Sequence, residues 1–140
     1  MFGNDRLQMR RMFSDSWLKF KQGTPMEPLE QLIVEIINKH PEYHKMLDDP
    51  AASLDRDFTP EDGQTNPFLH MAMHISIQEQ ISTDRPAGIR LAYQKLALKT
   101  GDPHEVEHLM MECLGKMLWE AQRSGGMPDE NHYLECVRLL

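Results

Sequence analysis

Cysteine is scarce in this chain: Cys113 and Cys136 are the only two in 140 residues. Two cysteines make no disulfide framework. Both fall inside helical patterns, far apart in sequence, so the expectation is a pair of inert buried thiols in a reducing compartment, with a low-pKa reactive thiol as the alternative. Long apolar runs are missing as well, and no stretch approaches the roughly 20 residues of a membrane span. A secretory leader is not expected, because MFGNDRLQMRRMF puts Asp5, Arg6, Arg10 and Arg11 where an apolar segment would have to be. A basic excess is missing too. The formal net charge is −7, whereas a sequence-independent nucleic-acid binder neutralises phosphates with Lys and Arg. These absences predict a cytoplasmic protein that neither spans a membrane nor binds nucleic acid. Catalytic signatures are equally sparse: there is no Gly-rich phosphate loop, no G-x-S-x-G elbow and no Cys/His finger spacing.

What is present is helical periodicity. The chain has the length of one domain, long enough to bury a core without staples. From Asp5 to Lys21, Met9, Met12/Phe13, Ser16/Trp17 and Phe20 recur at three- and four-residue steps, the mark of an amphipathic helix. Its other face carries Arg6, Arg10, Arg11, Lys19 and Lys21 and reads as solvated. A second helix begins near Glu27–Pro28 and carries Leu29, Leu32, Ile33, Ile36 and Ile37 until Pro41 breaks it near His40. The segment 48–65 then holds six acids against one base, Arg56, and lacks periodicity. It predicts a long acidic loop, one that could dock on the basic first helix.

Asn66–Pro67 is a helix start, an N-cap followed by proline at the first helical position. The helix it opens runs to about Thr83 and is apolar nearly all round, which suits the central member of a bundle. Two more patterned segments follow, Asp84 to Lys99 and Asp102 to Gly125. The latter opens on an aspartate cap, a proline and Glu105 three residues after the cap. A last helix starts near Asp129. The expected fold is therefore all-α, one domain over residues 1–140, an irregular bundle of about five to six helices with the acidic loop before the central one.

Histidine spacing offers the one candidate site. His70 and His74 lie one turn apart in the apolar 66–83 helix, and His104, His108 and Glu112 follow one another by turns in the 102–125 helix. Ligands one turn apart project from one helix face, and two such helices can supply four ligands to a single ion. His70, His74, His108 and Glu112 form the best set, with His104 weaker because it sits beside the cap. Imidazoles with a carboxylate suit zinc, iron or manganese. The HExxH signature is absent, since Met71 follows His70, and Glu105–His108 is the only Glu-x-x-His pair. The same histidines could instead be hydrogen-bonded core residues that fix helix register, or metal-free acid–base groups.

Several blocks together resemble a known family. They are WLKF at Trp17–Phe20, Pro28–Glu30 and His40–His44 (HPEYH), then NPFLH at Asn66–His70 with His74, Glu79 and Gln80. Asp84–Pro86, Glu107–His108 with Glu112–Gly115, and Leu118–Glu120 complete the set. The resemblance is to an uncharacterised proteobacterial family, domain of unknown function 1841, and covers nearly the whole chain. It implies a small bacterial helical protein and no particular activity. It also brings His40, Glu42, Tyr43 and His44 into consideration as neighbours of the site. Two function classes remain open: a non-enzymatic regulatory or interaction protein with a protein partner, and a metal- or small-molecule-binding protein, enzymatic or not.

Overall fold

A computed structural model of the chain describes residues 2–53 and 66–140. Among the described residues every regular element is helical: α1 (Phe2–Gln22), α2 (Pro28–Asn38), a 3-10 turn (Pro41–Tyr43), α3 (His44–Asp48), α4 (Pro50–Ser53), α5 (Pro67–Thr83), α6 (Ile89–Thr100), α7 (Pro103–Ser124) and α8 (Glu130–Arg138). The all-α expectation holds, but eight helices replace the expected five to six. The extra ones are the short α3 and α4. Proline accounts for this subdivision: Pro41 and Pro50 each open a new helical turn, where a missing N–H costs nothing. The expected acidic loop therefore begins as helix, and the rest of it, residues 54–65, lies outside the described residues.

The chain divides into two compact units, Met1–Ile75 and Ser76–Leu140, with the division falling inside α5. In the first unit Phe13 and Trp17 of α1, Ile33, Ile36 and Ile37 of α2, Leu47 of α3, and Phe68 and Met71 of α5 form one buried cluster. Each such side chain contributes about 1.5–3 kcal/mol by leaving water. Phe13 meets Phe68 edge-on, ring centres 6.1 Å apart. Arg10, expected on the solvated face of α1, is fully buried instead. Its guanidinium lies 4.9 Å from the centre of the Phe68 ring, where the π-face attracts the cation and the long stem adds packing. Two lysines of that face meet acids: Lys19 pairs with Glu30 and Lys21 with Asp48, both at 2.6 Å, and the Trp17 indole donates to Asp48 at 2.9 Å. One acid of the segment 48–65 thus does dock on α1.

In the second unit Ile89 and Leu96 of α6, Val106, Met110 and Leu114 of α7, and Tyr133, Leu134 and Val137 of α8 are buried. Asp102 and Asp129 cap α7 and α8 by accepting from the His104 and His132 N–H groups, each at 3.0 Å. Helix α6 starts later than the sequence predicted. Gly88 at φ +99° is its N-cap, and Asp84, where the segment was expected to open, serves from outside by accepting from the Gly88 and Arg90 N–H groups.

Cys113 and Cys136 are joined in a disulfide, which corrects the expectation of two separate inert thiols. The physical reason is the hairpin of α7 and α8. Both cysteines lie about equally far from the reversal at Gly125, so folding α8 back brings their Cα atoms to 5.8 Å, within bonding range.

Candidate metal centre

Pro41 shapes the site. A proline has no N–H to give the helix carbonyl four residues earlier, and it pushes the preceding residue out of the helical region. His40 accordingly sits at φ −127°, ψ 69°, just past the end of α2. The last carbonyls of α2 find other donors. The His40 Nδ1–H donates to Ile36 O at 2.8 Å and the His44 Nε2–H donates to Ile37 O at 2.9 Å, beside the tightened-turn bonds those carbonyls accept from the Lys39 and His40 backbone N–H groups. Carbonyl oxygens only accept, so these bonds set both tautomers. His40 is left with its lone pair on Nε2, the arrangement that orients a histidine as a metal ligand. His44 spends Nε2 on the backbone and packs its ring 4.5 Å from that of Trp17.

His70 and His74 come from the first two turns of α5. Asn66 caps that helix, its side chain accepting from the Phe68 N–H at 3.0 Å and more weakly from the Leu69 N–H at 3.3 Å. Phe68, Met71, His74 and Ile77 then form its buried stripe, while His70 is half-buried. The Nε2 atoms of His70 and His74 are 3.3 Å apart. That spacing suits a long N–H···N bond. It also suits two lone pairs facing one cation, because two nitrogens about 2.0–2.1 Å from a tetrahedral metal are about 3.4 Å apart.

His40 completes a triangle. Its ring centre is 5.0 Å from that of His70 and 4.9 Å from that of His74, and the His70–His74 separation is also 4.9 Å. Three imidazoles bound through Nε2 to one tetrahedral ion would have ring centres about 5.2 Å apart. One ligand nitrogen of His40 and one of His74 also lie within 4.8 Å of each other. Tyr43 lies parallel to the His40 ring, centres 5.3 Å apart at an interplanar angle of 6°, which holds that imidazole in place. Burial keeps the Tyr43 phenol above its ordinary range, with the Glu42 charge adding to the effect, so Tyr43 stays neutral beside the cluster.

Residues 5–139 match the family model described as a domain of unknown function, DUF1841. The chain belongs to that family. No curated protein and no solved structure matches it. Within this DUF1841 chain, the sequence-predicted residues are distributed as follows. His70 and His74 stand together in the first unit. His108 lies in the second unit on α7, its ring 4.4 Å from that of His104 and its Nδ1 3.8 Å from Glu105. Glu112, one turn further along, is exposed. Glu107 is the buried carboxylate of α7 and accepts from Gln78 Nε2 at 3.3 Å.

His40 is the member that spacing could not find. No helical period connects it to His70 or His74. Besides the HPEYH block of the family resemblance, the signal was local: a histidine directly before a helix-breaking proline is held at a fixed angle with a carbonyl in reach. Among the described residues no helix is long and apolar enough to cross a membrane.

Proposed function

We propose that this protein binds a divalent transition metal, zinc before iron or manganese, through His40, His70 and His74. The observation that carries this reading is the near-equilateral triangle of three imidazoles with ring centres 4.9–5.0 Å apart. Two further facts support it. The His40 tautomer leaves Nε2 as a donor atom, and the 3.3 Å Nε2–Nε2 distance fits a shared ion. Three neutral imidazoles favour zinc over manganese, which prefers oxygen ligands. Three protein ligands also leave a fourth position for water or another group. Metal analysis of natively purified protein tests the proposal. Near-stoichiometric metal, lost in His40→Ala and in His74→Ala, is the expected result. Metal-free protein that takes up no zinc on dialysis against it refutes the proposal. Running His108→Ala and Glu112→Ala in the same assay asks whether the residues read from α7 contribute ligands: metal retained in both assigns the ion to the three histidines.

The second reading is a regulatory or interaction protein without chemistry of its own. It is supported by Leu91, Leu98 and Leu139 of the second unit, large apolar side chains that stay in water. Affinity capture that recovers no partner from a lysate counts against it.

A further inference from the structure

We propose that Cys113–Cys136 is a reversible thiol–disulfide exchange site, opened by a dithiol reductant and reclosed by a disulfide oxidant. The second unit does not need the bond as a staple. Val106, Met110, Leu114, Tyr133, Leu134 and Val137 already give α7 and α8 a shared apolar interior, and the Tyr133 hydroxyl bonds Gln80 at 2.6 Å. Disulfides are structurally necessary mainly in small domains that lack such a core. Here both the bonded and the open form retain what folds the hairpin, which is what a reversible couple requires.

The surroundings favour exchange. Both cysteines line a water-sized surface notch of about 10 Å³ shared with Lys116, Glu120 and His132. Lys116 is one turn beyond Cys113, and His132 is one turn before Cys136 and 3.5 Å from Glu120. The two sulfurs are not equivalent: Cys113 is buried, whereas Cys136 is half-buried. That asymmetry gives the reaction a direction. A reductant thiolate attacks Cys136 Sγ, the Sγ–Sγ bond breaks, and its electron pair leaves on Cys113 Sγ, where the Lys116 ammonium stabilises the charge. The reductant's second thiol then attacks the mixed disulfide and releases Cys136. The reductant ends as a disulfide, and the protein has gained two electrons and two protons.

The test uses the full chain under native conditions. It is equilibrated from both directions in mixtures of reduced and oxidised dithiothreitol, then in glutathione mixtures. Thiols are trapped with a maleimide and counted by mass. The expected result is a single reversible transition in which two labels appear together, with unchanged helical circular dichroism. In oxidised glutathione, Cys113→Ser should acquire one glutathione on Cys136 several-fold faster than Cys136→Ser acquires one on Cys113. Lys116→Met should slow opening by dithiothreitol several-fold. Two results overturn the proposal, and both are read on the unmodified sequence. One is a bond that dithiothreitol opens only after denaturant is added. The other is a pair of thiols that oxidised glutathione never joins.

Discussion

Adding zinc to the metal-free chain should raise its melting temperature by an amount that can be worked out in advance. A ligand selective for the folded state stabilises it by RT ln(1 + [L]/Kd), about 2.7 kcal/mol at a hundredfold excess over Kd. Unfolding entropy is about 2.1 cal/mol/K per residue near 60 °C, so the shift depends on how much chain unfolds together. If all 140 residues melt as one, the rise is about 9 °C. If the first unit, Met1–Ile75, melts alone, the same energy raises its transition by about 17 °C. The three histidines all belong to that unit, so in a two-step melt the first unit's transition should move. Differential scanning calorimetry with and without zinc reads both cases. His74→Leu sharpens the test. His74 is fully buried, so an apolar side chain of similar volume should keep the metal-free melting temperature near the wild-type value while abolishing the zinc shift. A wild-type chain indifferent to zinc, or a His74→Leu variant that still responds fully, would rule out zinc binding at the three histidines.

Three further outcomes follow from single contacts. Tyr133→Phe should cost about 1–1.5 kcal/mol in urea unfolding, because it strands the buried-side acceptor of Gln80; the phenol, held above its ordinary range by burial, is a donor at any accessible pH. An unchanged midpoint would show that this bond contributes nothing. Gly88→Ala should cost about 1–2 kcal/mol from the left-handed backbone alone. The added Cβ would also come within 3.0 Å of the Arg138 guanidinium, which is a flexible end and can move aside; no loss of stability would mean that φ +99° is not held in solution. The Lys21 ammonium, and after it the Trp17 indole, lower the Asp48 pKa from its ordinary 3.8. The linked stability is therefore complete above the unfolded value and is lost as pH falls through the lowered folded one. Asp48→Asn should flatten the slope of unfolding free energy against pH below about 4, and an identical slope in wild type and variant would remove Asp48 from the linkage.

Helix starts were legible because capping chemistry is local. Glu27–Pro28, Asn66–Pro67, Asp102–Pro103 and Asp129 each mark a first turn, and helices begin at all four places. Asp84 misled by one turn, since its carboxylate reaches the same N–H groups from before Pro86 rather than from the cap position. Arg10 misled because a formal charge says nothing about whether an aromatic face is waiting for it. The cysteine pair was hidden by its separation of 23 residues, although symmetry about Gly125–Gly126 contained the hint. The candidate site was half legible. The one-turn pair His70 and His74 follows from helical period, whereas His40 belongs to a break in periodicity, and a search for repeats passes over breaks.

Pro41 is consequently the residue that should separate ligand geometry from fold. Replacing it with alanine restores an N–H able to donate to Ile37 O and removes the restriction on His40. Helix α2 can then continue by a turn, the restored N–H competes with the His44 Nε2–H for Ile37 O, and His40 no longer takes the φ −127°, ψ 69° conformation that aims its ring at His70 and His74. The core contacts of Ile33, Ile36 and Ile37 lie upstream and are retained. Pro41→Ala should therefore keep its metal-free stability to within about 1 kcal/mol, a restored helix bond offsetting the lost side-chain one. Its zinc-dependent rise in melting temperature should shrink to that of a site with two imidazoles. The converse pattern, full zinc response with a destabilised apo chain, would mean that Pro41 serves packing and that His40 reaches the cluster without it.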